Sequence, residues 1–153
     1  MADQKITALT ELAAAPDDSD VLVIVDDPAG SPATKKITAS NLNKEQSIIV
    51  TSLASDTTPN PARASRKTMY ELTALAGNAL FSAPSGTPVN GDMLFISVTD
   101  NGTARALTYN AIYDDPYTPD NPTTTVANKT LMMMYMYSST RSKWELLWTD
   151  EES

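Results

Sequence analysis

Asp92-Met93-Leu94-Phe95-Ile96-Ser97-Val98-Thr99 decides the fold class. Leu94, Ile96 and Val98 alternate with Met93, Phe95, Ser97 and Thr99, the period of two that gives a strand one apolar face. Asp100-Asn101-Gly102 follows at once. Asn-Gly is favoured where both central residues of a tight hairpin turn need positive φ, so residues 103–109 are expected to return as the partner strand. Beyond the turn formers of Asp114-Asp115-Pro116-Tyr117-Thr118-Pro119-Asp120-Asn121-Pro122, residues 129–137 and 143–149 are expected to form a second hairpin. Its first arm, Leu131-Met132-Met133-Met134-Tyr135-Met136-Tyr137, is apolar on both faces. Such a strand calls for two covers, a second sheet or another subunit. Residues 85–153 therefore read as a small β-sandwich or barrel-like module, of a size at which oligomerisation is a stabiliser.

Working outward toward the N-terminus, residues 61–76 are expected to form one short helix. Asn60 suits the N-cap, Pro61 the first helical position, and Gly77 or Asn78 the stop. Its apolar residues Met69, Leu72, Leu75 and Ala76 make a narrow seam, suited to packing against copies of itself or against a sheet edge. Residues 46–53, with Ile48, Ile49, Val50 and Leu53, read as a strand or extended arm ending at Thr57-Thr58-Pro59. Val21-Leu22-Val23-Ile24-Val25 is a strand-length β-branched run. The turn chemistry of Asp26-Asp27-Pro28-Ala29-Gly30-Ser31-Pro32 lets residues 33–38 return as a hairpin. Ile6, Leu9 and Leu12, three apart, suit one helical turn or an arm laid against a partner. The expected class is mainly β: an N-terminal arm and hairpin (1–46), a linker strand and helix (47–84), and a C-terminal β-module (85–153).

The chain of 153 residues has no Cys and no His. That removes thiolate and imidazole ligands, Cys nucleophiles, the Ser-His-Asp arrangement and the commonest general base. The five glycines form neither phosphate-cradling pattern, G-x-x-x-x-G-K-[ST] or G-x-G-x-x-G. A net charge of −8 repels nucleic acid. Charge is unevenly spread, −4 over residues 1–46, +1 over 47–84 and −5 over 85–153. Arg63, Arg66 and Lys67 are too few for a nucleic-acid surface and read as a solvated face or a contact to an acidic neighbour. The sequence has no apolar run near the roughly 20 residues that span a bilayer, and Met1-Ala2-Asp3-Gln4-Lys5 lacks a signal pattern. The expectation is a non-enzymatic protein without cofactor, nucleic acid or membrane, made in a host cytoplasm.

Asp114, Asp115 and Asp120 could offer oxygens to Ca²⁺, but their spacing fits no EF-hand and the prolines explain the loop. Asp17, Asp18, Asp20, Asp26 and Asp27 read as solvated flanks of the first strand. With nineteen acids, a glycosidase-like pair has no spacing to single it out. Tyr109, Tyr113, Tyr117, Trp144 and Trp148 could stack on sugars, although strand aromatics more often pack in cores or interfaces. The methionines suit conformable packing.

Two sets of words resemble bacteriophage virion structural proteins. The first is Lys5-Ile6-Thr7-Ala8-Leu9-Thr10-Glu11-Leu12, Asp20-Val21-Leu22-Val23-Ile24-Val25-Asp26 and Thr34-Lys35-Lys36-Ile37-Thr38-Ala39-Ser40-Asn41-Leu42. It is similar to a leader at the start of phage fibre and appendage proteins, and implies attachment to the particle. The second is Gly86-Thr87-Pro88-Val89-Asn90-Gly91-Asp92, Asp100-Asn101-Gly102-Thr103-Ala104-Arg105-Ala106-Leu107-Thr108-Tyr109, Pro122-Thr123-Thr124-Thr125-Val126-Ala127-Asn128-Lys129-Thr130-Leu131 and Ser142-Lys143-Trp144-Glu145. It resembles a β-rich module of phage fibres and virion-surface proteins, and implies trimeric β-structure. The methionine-rich strand and the 114–122 loop depart from that pattern, and neither set carries a catalytic residue.

The resemblance implies a homotrimer on the particle surface, either a capsid decoration (cement) protein or a short head fibre bound to the major capsid protein. The alternative is a tail-fibre or tail-adaptor subunit meeting tail proteins or a host surface glycan. Expected capsid-attachment residues are Ile6, Leu9, Leu12, Val21, Val23, Val25, Ile37 and Leu42. Expected trimer-interface residues are Met69, Leu72, Ala76, Met132, Met134 and Met136.

Overall fold

The structure, a computed structural model, describes residues 21–26, 33–38, 47–117 and 120–152. The chain divides into two compact units, Met1–Lys44 and Glu45–Ser153. In the first, β1 (Val21–Asp26) and β2 (Ala33–Thr38) form an antiparallel hairpin from Val21 opposite Thr38 to Asp26 opposite Ala33. The β-branched run thus pairs with residues 33–38, as its strand propensity leads one to expect.

The second unit is built on a mixed six-stranded sheet. In chain order it comprises β3 (Ile48–Leu53), β4 (Lys67–Leu75), β5 (Ala79–Phe81), β6 (Met93–Asp100), β7 (Leu107–Tyr109), β8 (Tyr113–Asp114), β9 (Thr130–Ser138) and β10 (Lys143–Glu151). The sheet order is β3-β4-β6-β9-β10-β8, while β5 and β7 form a separate parallel pair. β3, β4 and β6 run parallel, β9 is antiparallel to β6 and to β10, and β8 joins β10 in parallel over two residues.

The period-two pattern of β6 turns Leu94, Ile96 and Val98 inward. They meet Tyr70 and Leu72 of β4, Leu131, Met133 and Tyr135 of β9, and Trp144 and Leu146 of β10. Ala79, Phe81 and Leu107 of the small pair complete this core. Aromatic rings tie the layers together: Phe81 stacks on Tyr109 with centroids 5.3 Å apart, and Tyr113 meets Tyr135 edge-on at 5.2 Å.

Two expectations are corrected. No helix forms among the described residues; Lys67–Leu75 is a strand. The three-residue spacing of Met69, Leu72 and Leu75 coexists with a two-residue one, Thr68-Tyr70-Leu72, which is buried throughout; Met69 lies half-buried on the other side, and Leu75 is buried beyond the register shift that follows Leu72. Strand partners on both sides, β3 and β6, override the local helix signals. Asn60, free of a capping role, donates through Nδ2 to the Ala83 carbonyl at 3.0 Å. The Asn-Gly turn, likewise, does not close a hairpin. Asp100 Oδ1 accepts the Gly102 amide at 2.9 Å, and Gly102 sits at φ +94°, but residues 107–109 pair with β5 while β6 takes β4 and β9 as neighbours. The β9–β10 hairpin forms as expected, with a bulge between Leu146 and Trp148.

Candidate assembly surface

Residues directly opposite on paired strands point to the same side of a sheet. Following the register across the sheet, Val50 lies opposite Met69, Met69 opposite Phe95, Phe95 opposite Met134, and Met134 opposite Trp148. Five strands thus contribute one apolar residue each to a single row on the side away from the core. The bulge puts Trp148 there, because it shifts β10 by one residue after Leu146. None of the five is buried: Val50 is 52% and Trp148 45% exposed, and Met69, Phe95 and Met134 are half-buried.

The flanking rows differ in polarity. On one side stand Ile48, Lys67, Met93, Met136 and Glu145; on the other, Ser52, Glu71, Ser97, Met132 and Asp150. The outer face is apolar at its centre, with Lys67 and, at the far end of the same row, Glu145 at one margin, and Glu71 and Asp150 at the other. A contiguous half-exposed patch containing four methionines of β4 and β9, Met69, Met132, Met134 and Met136, with Phe95 and Trp148, has the composition of an interface core.

Of the six residues expected at a trimer interface, Met69, Met132, Met134 and Met136 share this face. Leu72 packs in the core on the opposite side of β4, 1% exposed, and Ala76 lies exposed beyond the end of that strand. Val50, Phe95, Met93 and Trp148 join the face without having been expected at a trimer interface; only the inter-strand register brings them together. Of the attachment candidates, Val21, Val23 and Val25 lie on β1, and Ile37 is in register with Leu22 on β2. Ile6, Leu9, Leu12 and Leu42 lie outside the described residues, as do Asp17, Asp18, Asp20 and Asp27.

Several charged side chains pair within the unit. Asp92, fully buried, accepts from Arg63 Nε at 2.6 Å and from the Val89 amide at 2.8 Å, and Arg66 Nε lies 3.5 Å from its other oxygen. This pins the segment before β4 to the loop before β6. Arg141 bridges Asp114 (2.5 Å) and Glu145 (3.4 Å), which are in register on β8 and β10. Asp115 accepts the Asn121 amide at 2.9 Å. Asp114 is thereby engaged by Arg141 and Asp115 by the loop's own backbone, and no group of three His, Cys, Asp or Glu among the described residues could hold a metal ion.

At the end of β6, Asp100 accepts from Thr125 Oγ1 (2.7 Å) and from the amides of Gly102 (2.9 Å) and Asn128 (3.0 Å). Burial pulls its carboxyl upward. The hydrogen bonds from Thr125, Asn128 and Gly102, helped by Arg105, outweigh that and hold it below the ordinary carboxylate range. Tyr70 donates to Asp56 Oδ2 at 3.0 Å; burial, the hydrogen bond and the Asp56 charge push its hydroxyl up to about 12. Burial also raises Tyr109, Tyr113 and Tyr135. Of the aromatics that could meet a sugar, Tyr113 and Trp144 are therefore core residues and Tyr109 packs on the core, while Tyr117 and Trp148 are exposed.

The chain matches no model of a known protein family, and no curated protein is similar to it.

Proposed function

We propose that this chain is a structural subunit of a bacteriophage particle: a capsid decoration protein or short head fibre, trimeric, attached through residues 1–46. The observation that carries the assembly part is the half-exposed apolar row Val50-Met69-Phe95-Met134-Trp148 across the outer sheet face. Burying such a row against other copies removes apolar surface from water, at about 25 cal/mol per Å². Methionines let three copies settle into one contact without close shape constraints. The phage assignment is supported by the leader words of residues 5–42 and the module words of residues 86–145, and by the β1–β2 hairpin that the leader words form within the unit Met1–Lys44. In this role the protein works by burial and by multivalent attachment, several weak anchors acting together once linked in one trimer. Alternatively the chain serves as a tail-fibre or tail-adaptor subunit; exposed Tyr117 and Trp148 would then face a host glycan.

Particles labelled with antibody raised against residues 85–153 test the location. Signal over the head supports decoration, signal confined to the tail moves the assignment to the alternative, and particles without signal contradict both. Deletion of residues 1–46 is expected to abolish particle binding while the sheet unit stays folded; retained binding would place the anchor elsewhere.

A further inference from the structure

The two edges of the six-stranded sheet are built differently. At one edge, β10 is capped by the two-residue β8, interrupted by the Leu146/Trp148 bulge, and lined by Lys143, Asp150 and Glu151. Short caps, bulges and charges are the means by which edges avoid pairing with other chains. At the other edge, β3 is six residues long, regular in register with β4, and reads Ile-Ile-Val-Thr-Ser-Leu. It has no charge, no proline and no bulge. Ile48, Val50 and Leu53 are 51%, 52% and 41% exposed, and no strand pairs with its outer side among the described residues.

From this contrast we propose that β3 is a strand-addition edge and that its occupant is β3 of a second copy, paired antiparallel about a two-fold axis at Val50. A two-fold normal to the sheet requires each residue to oppose its mirror number: Val50 meets Val50, Ile49 meets Thr51 and Ile48 meets Ser52 of the other copy. Three features favour a second copy over an unrelated strand. The outer apolar row ends at Val50 on this edge, so the two-fold joins it to its copy in one continuous row of ten residues. The margins are complementary: the row carrying Lys67 and Ile48 continues into the copy's Ser52 and Glu71, so opposite charges flank the seam on both sides. The uncharged strand also lets two chains of net charge −8 meet where no like charges oppose. The edge contact is a two-fold one and is independent of the face contact; together they would link three-fold units into a larger surface.

The full chain has no cysteine, so single thiols report register directly. Opposed residues of an antiparallel pair lie roughly 4.5–5.5 Å apart at Cα, within disulfide reach. With oxidised glutathione as the electron acceptor, Val50→Cys is expected to convert to a disulfide-linked dimer. Ile48→Cys and Ser52→Cys, each about 14 Å from its own copy, are expected to stay unlinked alone and to cross-link when mixed. Circular dichroism unchanged from wild type shows that each variant folds. Folded Val50→Cys that remains unlinked, or Ile48→Cys that links as well alone as mixed, overturns the pairing. Phe95→Asp, two strands in from the edge, reads the face contact separately.

Discussion

The two faces of the central strands carry nearly the same chemistry and meet different fates. On β6 and β9, Leu94, Ile96, Val98, Leu131, Met133 and Tyr135 are 3% exposed or less, whereas Met93, Phe95, Met132, Met134 and Met136 on the other side are half-buried. One face folds the unit; in the reading proposed above, the other receives a neighbouring copy. The core face uses branched and aromatic side chains with fixed shapes, held by hydrogen bonds at their rims; the outer face is dominated by methionine, which adapts to what covers it. This division between fixed and conformable packing is what an assembling subunit needs: a unique fold, then a forgiving contact.

Mutations on the two faces should therefore separate stability from association. Ile96→Ala is expected to cost about 2–5 kcal/mol, the range for truncating a fully buried aliphatic side chain, read by denaturant unfolding. Phe95→Ala, one residue away, should change the unfolding of the isolated unit much less and show its main loss as a concentration-dependent midpoint that becomes concentration-independent. Equal losses for the two would erase the distinction between the faces.

Next in size is the rim of the core face. Asp100→Ala removes the acceptor of three hydrogen bonds; because water and relaxation recover much of what is lost, the net cost is expected to be roughly 1.5–3 kcal/mol. Because the folded-state carboxyl is held below its ordinary value of 3.8, this stabilisation is present above that pH and is lost as pH falls through the lower folded value. Wild type should thus lose stability below about pH 4 along a slope that the variant lacks in part; identical acid unfolding would remove Asp100 from the account. Alkali acts through the tyrosines with the opposite sign. Tyr70 is raised from 10.0 to about 12, so its contribution is complete below pH 10 and disappears as pH rises through 12. Tyr109, Tyr113 and Tyr135 are raised as well, so phenolate absorbance from these four should appear late and together with unfolding. Tyr70→Phe should blunt the part of the alkaline slope between those two values.

The smallest effect on stability is also the most local. Mild peroxide should oxidise Met69, Met93, Met132, Met134 and Met136 before Met133, which is fully buried, as resolved by peptide mass spectrometry. Sulfoxide on the outer face should weaken association before it weakens the fold. Faster oxidation of Met133 would reverse the assignment of faces.

Much of this division is legible in the residues. The alternation of residues 92–99 identifies β6, and the two-sided apolarity of Leu131 to Tyr137 calls for a second cover on β9. The β9–β10 hairpin is local, so its turn and arms can be read together. What escapes is non-local. β3, β4 and β6 pair in parallel across long connections, and nothing within Lys67–Leu75 reveals those partners; with Asn60-Pro61 in front and Gly77 behind, the segment imitates a helix. Met69 is accordingly selected for the wrong element yet lies on the outer face. Asn101-Gly102 shows the same failure in reverse: a local turn forms, but the strand after it is claimed by Ala79–Phe81. Val50, Phe95 and Trp148 become a row only when four registers and one bulge are known.

The central claim is that the outer face joins copies of this chain. Light scattering of the full chain at micromolar concentration, beside Phe95→Asp with unchanged circular dichroism, tests it most directly. The account predicts three chain masses, or a multiple of three, for wild type, and dissociation of the three-fold unit for the variant. A wild-type chain that stays a monomer, or a folded variant that keeps the wild-type mass, would contradict it.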